Sequence, residues 1–133
     1  MTTVRAACIQ MRSKPDPAPN IDTATSLIRA AVDKGARFIA TPEMTNLLDI
    51  RPGQARAKVR REEDDECLRA MTGLASDLGV TVLIGSLAIA LPDDRRFANR
   101  SYLIGPEGGV QARYDKIHMF DVEVGDGQAY RES

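Results

Sequence analysis

The chain of 133 residues has the length of one ordinary domain. Its composition, 43% apolar and 28% charged, fits a folded globular protein and not a disordered one. A net charge of −1, with 5% aromatic residues and no Trp, excludes the basic excess and the base-stacking platforms of a nucleic-acid binder.

The first apolar run, residues 4–11 (VRAACIQM), is short and is followed by the Pro-rich KPDPAP. It reads as a buried strand that ends in a loop, because each proline fixes φ and removes a donor. It carries Arg5 and Gln10, so it lacks the long uncharged core of a secretory signal. No segment reaches the ~18 consecutive apolar residues of a membrane span. The expectation is a cytoplasmic protein without a membrane partner.

Asn20 is a candidate N-cap. Beyond it Ile21, Ala24, Leu27, Ile28, Ala31 and Val32 recur at helical spacing, and Gly35 stands where a left-handed residue closes a helix. Residues 37–41 (RFIAT) form a second strand, stopped by Pro42. The charge-dense stretch 54–66 (QARAKVRREEDDE) reads as a solvated helix face, in which Arg60 and Asp64, or Arg61 and Asp65, pair at i,i+4. A second amphipathic helix starts near Asp65, carries Leu68, Met71, Leu74, Ala75 and Leu78 on one face, and ends at Gly79.

Residues 80–87 (VTVLIGSL) are apolar enough for a strand buried on both faces. After a turn at 92–96, residues 100–104 and 110–114 read as a hairpin around Pro106, Gly108 and Gly109. From Lys116 onward the sequence reads as irregular. The pattern β-α-β-α-β-β-β predicts an α/β fold with helices on one side of a sheet. No GxGxxG or GxxxxGK[ST] run accompanies it, which argues against a nucleotide-binding version of that pattern.

Three places carry candidate chemistry. Glu43 follows Pro42 at the end of a buried strand, where α/β sheets form their crevice. Lys116 stands at the exit of another strand, two residues before His118, the chain's one histidine. Glu132 lies in the terminal YRES. Cys8 and Cys67 fit neither a metal spacing nor a disulfide framework.

The ordered set ATPE at 40–43, NRSYLIGPEG at 99–108 and YDKIHMFDVEVGDGQAYRES at 114–133 resembles the nitrilase or carbon–nitrogen hydrolase superfamily. AACIQM and GARFIATPE resemble its first βαβ segment, so the likeness runs from Val4 to Ser133. Among its branches the chain is most similar to the Nit-type amidases, the omega-amidase and deaminated-glutathione amidase group. The resemblance implies the N-terminal half of a four-layer αββα sandwich. It implies Glu43 as general base, Lys116 as the oxyanion-stabilising cation and Glu132 as a second glutamate. It also implies a cysteine nucleophile, which the family carries a short way beyond the position of Ser133.

Neither Cys8 nor Cys67 is expected to replace that nucleophile, and His118 is not required as the base. On this reading residues 1–133 are a partial domain that turns over nothing alone. The full protein acts on a small-molecule amide without metal or organic cofactor and pairs with copies of itself. A non-catalytic assembly module on the same half-fold is the alternative.

Overall fold

The computed structural model describes residues 3–51, 53–92, 96–118, 121–124 and 128–131. Its elements are β1 (Ala6–Cys8), α1 (Pro17–Asp33), β2 (Phe38–Ala40), α2 (Gln54–Lys58), a 3₁₀ turn (Glu62–Asp64), α3 (Glu66–Leu78), β3 (Thr81–Ala90), β4 (Phe97–Ile104), β5 (Val110–Asp115), β6 (Asp121–Val124) and β7 (Gln128–Arg131). The first five strands make one sheet in the order β1-β2-β3-β4-β5. β1, β2 and β3 are parallel, and β4 is antiparallel to both β3 and β5. The C-terminal ends of β2, β3 and β5 therefore leave the sheet along the same edge.

The helix α1 starts a turn earlier than its apolar stripe suggests. Pro17 takes the first turn, where its missing N–H costs nothing, and Asp16 is the N-cap residue. Asn20 is thus inside the helix and buried, not a cap. Ala24 and Ile28 continue its buried line, while Leu27 faces outward at 38% exposure. Gly35, with φ 88°, closes the helix as expected. In α3 the side chain of Asp65 caps the first turn by accepting from Leu68 N–H at 2.8 Å, and Gly79 ends it in the left-handed conformation.

Both helices pack on one face of the sheet. Ile28, Met71, Leu74 and Ala75 meet Ile39, Val82, Ile84, Leu87, Tyr102 and Ile104, all nearly or fully buried. At about 25 cal/mol per Å² of apolar surface removed from water, this interface is the main source of stability. The other face presents Phe38, Ala40, Leu83 and Leu103, half-buried, with Cys8, Ala112 and Tyr114 exposed. The first half of β3 is therefore buried on one face only, and not on both as its apolar sequence suggests.

The charge-dense stretch is not one helix. α2 stops at Lys58, residues 59–61 run extended, and Arg60 bridges to Ile89 beside β3. The two i,i+4 pairs expected there do not form. Val59 is drawn instead into a small apolar cluster with Leu47 and Ala88, which pulls the backbone off the helical path. Residues 121–131 also depart from expectation. They hold a two-stranded antiparallel pair, β6 with β7, where an irregular tail was expected.

Candidate active site

Thr41 and Pro42 carry the chain out of β2 and into a turn that places Glu43. The turn is held from both sides. Within it, Thr45 Oγ1 contacts Thr41 Oγ1 at 2.8 Å and donates to the Pro42 carbonyl at 2.7 Å. From β3, Ser86 Oγ accepts Met44 N–H at 2.9 Å, Ser86 O accepts Thr45 N–H at 2.8 Å, and Ser86 N–H reaches Pro42 O at 3.3 Å. Met44, next to Glu43, has a left-handed φ of 54°, a strained state for a side chain of that size.

The docking point on β3 is a bulge, where the register with β4 shifts between Ile84 and Leu87. Gly85 lies in it. A Cβ there would meet Thr41 O at 2.3 Å and the Pro42 carbonyl carbon at 2.6 Å. The missing side chain lets the turn cross over β3 toward β4. This crossing brings a residue from the end of β2 to one beyond the end of β5.

A buried polar network fixes the far side of the turn. Asn46 Nδ2 donates to Ala88 O at 3.0 Å and to Asp65 Oδ2 at 3.2 Å, and its Oδ1 accepts Ala88 N–H and Leu47 N–H at 3.0 Å each. Asn20 reaches from α1 to donate to Asn46 O at 2.9 Å. Burial pushes the Asp65 carboxyl above its ordinary range. All four hydrogen-bonding positions of the Asn46 amide are used in this network, and Arg51 forks onto Asp49 at 2.6 and 2.8 Å.

Lys116 leaves β5 with its N–H donating to Asn99 O at 2.9 Å. Its Nζ donates to Glu43 Oε1 at 3.1 Å, and Asn99 Nδ2 donates to the same oxygen at 2.7 Å. The Lys116 side chain is 32% exposed and that of Glu43 58%, so the pair is open to solvent at the edge of the sheet. Two of the three residues expected from the sequence thus stand in contact although 73 positions apart. Glu132 lies outside the described residues. His118 is exposed.

Behind Lys116 runs a brace of charge. Arg100 forks onto Asp115 at 2.6 and 2.9 Å and donates to Glu62 at 2.9 Å. Arg113 donates to Glu62 at 2.6 and 2.8 Å, and Tyr102 OH donates to it at 3.1 Å. The Arg113 guanidinium holds the Glu62 carboxyl below its ordinary value, and Arg100 does the same to Asp115. A cleft of about 500 Å³ abuts this brace, between Arg61, Glu63, Pro92 and Arg100. Asn99 and Arg100 are consecutive in β4 and point to opposite faces, so the cleft belongs to the brace and not to Glu43.

Neither cysteine joins Glu43. Cys67 is buried in the core, where burial pushes its thiol far above the ordinary range, and such a thiol is inert. Cys8 is exposed on β1, opposite Ala40, and not in the core as its small apolar neighbours suggested. Among the described residues no cluster of His, Cys, Asp and Glu could hold a metal ion.

This arrangement, a carboxylate and an ammonium brought together at the C-terminal edge of an α/β sheet, can accept a proton and stabilise an adjacent anion. Comparison with known proteins gives the family. The family described as carbon–nitrogen hydrolase matches residues 5–133, and the chain belongs to it. A deaminated glutathione amidase of Synechocystis sp. is 35% identical over 130 residues, covering 96% of this chain and 47% of that protein. An omega-amidase of Homo sapiens is 29% identical over 135 residues, covering 100% and 47%. The chain thus spans about half the length of these relatives. Among solved structures, the NitFhit protein of C. elegans superposes with a TM-score of 0.83 at 25% identity, covering 100% of this chain and 33% of that one. An amidase from Nesterenkonia sp. superposes with a TM-score of 0.74 at 28% identity, covering 88% and 44%.

Proposed function

We propose that the protein to which these residues belong hydrolyses the C–N bond of a small linear amide by thiol chemistry. The contact between Glu43 and Lys116 is the observation that carries this reading. A cysteine thiol supplied from outside residues 1–133 attacks the amide carbon while Glu43 takes its proton. The carbonyl oxygen becomes an oxyanion, and the Lys116 ammonium stabilises it more than it does the neutral amide. The tetrahedral intermediate collapses, the C–N bond breaks, and the amine leaves with the proton that Glu43 returns. Water then hydrolyses the thioester, again giving a proton to Glu43. Glu132 is assigned as a second glutamate that orients these groups.

The substrate class follows the relatives, one named for a deaminated glutathione and another for an omega-amide. The substrate is the terminal amide of a 2-oxo dicarboxylic acid monoamide or of a deaminated peptide. Residues 1–133 are read as the first half of the hydrolase domain, in a cytoplasmic protein that pairs with copies of itself and needs no cofactor.

Ammonia release from such amides tests the reading. The 133-residue chain by itself is expected to release none. Release that vanishes on Cys8→Ala or Cys67→Ala would put the nucleophile inside the chain and overturn the assignment. In a polypeptide that supplies the thiol, Glu43→Gln and Lys116→Ala should each lower kcat by on the order of 10²–10³. A Glu43→Gln enzyme with undiminished turnover sinks the proposal.

A further inference from the structure

We propose that Asn99 is a positioning residue that pins the Glu43 carboxylate against Lys116 and leaves Oε2 as the proton-accepting oxygen. The inference rests on the reading of Glu43 as the base. Asn99 lies within β4 at 7% exposure, opposite Ala88. Asparagine is depleted in strands, and a buried amide is costly unless its donors are used. This one donates through Nδ2 to Glu43 Oε1 at 2.7 Å.

Lys116 Nζ donates to that same oxygen. Among the described residues no donor reaches Oε2. An oxygen holding two hydrogen bonds, one from a cation, is the poorer acceptor of a further proton. The proton therefore goes to Oε2.

Asn99 also governs the other partner, because its carbonyl accepts the Lys116 N–H at 2.9 Å. One residue thus indexes both groups, the carboxylate through its side chain and the lysine through its backbone. Losing the amide should act unequally on the two. The carboxylate, on an exposed side chain, becomes free to swing away. The lysine backbone stays in register, since the ladder of β4 with β5 and the fork of Arg100 on Asp115 remain.

Zero-length carbodiimide coupling, read by peptide mass spectrometry, tests this on the 133-residue chain. It joins a carboxylate to an amine only when the two are in contact. Glu43–Lys116 is the reporter, and Asp16–Lys58, at 2.9 Å, is an internal control. In Asn99→Leu the reporter product should fall several-fold relative to the control product. An unchanged ratio overturns the proposal.

If Asn99→Leu loses both products, its fold is gone, and the spectrum of the unsubstituted chain decides. One Asn99 side-chain amide proton should be shifted downfield and slow to exchange, and Glu43→Ala should abolish this signature. Indifference of the signal to Glu43→Ala overturns the proposal as well. Neither readout depends on turnover. A chain that shows both signals in an enzyme unaffected by Glu43→Gln defeats the amidase reading alone; an active, Glu43-dependent enzyme showing neither defeats the role of Asn99 alone.

Discussion

At Gly85 a single methyl group would collide with the backbone that carries Glu43 out of β2. No flexible side-chain end lies in its path, so relief requires the turn or the bulge to move. Gly85→Ala should therefore cost about 1–3 kcal/mol, the usual range for forcing extra volume into a packed site. Ser86→Ala leaves the Met44 N–H without its acceptor, a loss of about 1 kcal/mol. Urea denaturation of both variants checks the order, and a Gly85→Ala chain more stable than Ser86→Ala would contradict the account. Gly85 was passed over within the apolar run 80–87, although a glycine inside a strand is a known sign of a bulge or a close approach. Glu43 and Lys116 each follow a strand end, but the roles proposed for them rest on the family resemblance and not on that position. Asn99 was passed over inside a longer motif, although a strand asparagine is a signal of its own.

Among the elements, the brace around Glu62 holds the 3₁₀ turn against β4 and β5. Its carboxyls, Glu62 and Asp115, have folded-state values below their ordinary 4.5 and 3.8. The sign follows directly: their contribution is present above those ordinary values and is lost as pH falls through the lower, folded-state ones. Asp65 has the opposite sign. Its folded value is raised, so protonating it in acid relieves a buried charge and offsets part of the loss. The melting temperature should thus decline as the pH is lowered past the ordinary carboxylate range, and Arg100→Gln should flatten that decline. Circular dichroism melts of the two chains across acid pH provide the check, and parallel curves would show that the brace contributes nothing. The helices and most strands were legible from periodicity. The break between α2 and α3 was not, because charge spacing alone cannot report that Val59 has a place in a cluster with Leu47 and Ala88. The β6 and β7 pair was missed for want of a strong apolar alternation.

For the whole molecule, the layer order has a consequence for behaviour in solution. Helices cover one side of the sheet, while Phe38, Leu83, Leu103 and Tyr114 share the other. An apolar face of this kind attracts a partner or drives association. The 133-residue chain in isolation is expected to elute from size-exclusion chromatography as dimers or larger species. A monomer that unfolds cooperatively at every concentration would refute this. The α/β class and the five-stranded sheet were legible, since a sheet with helices to one side follows from the order of elements alone.

The contact between Glu43 and Lys116 spans most of the chain, joining the end of β2 to the end of β5 across the two strands between them. It cannot close until β3 has its bulge and β4 has docked with Asn99 in place. Such a pairing is of high contact order, and its loop-closure entropy is met only after the intervening hairpin has formed. The site is therefore among the last features to be made as the polypeptide folds. A partly folded chain holds both groups but not their meeting, so the appearance of that contact times the completion of the sheet.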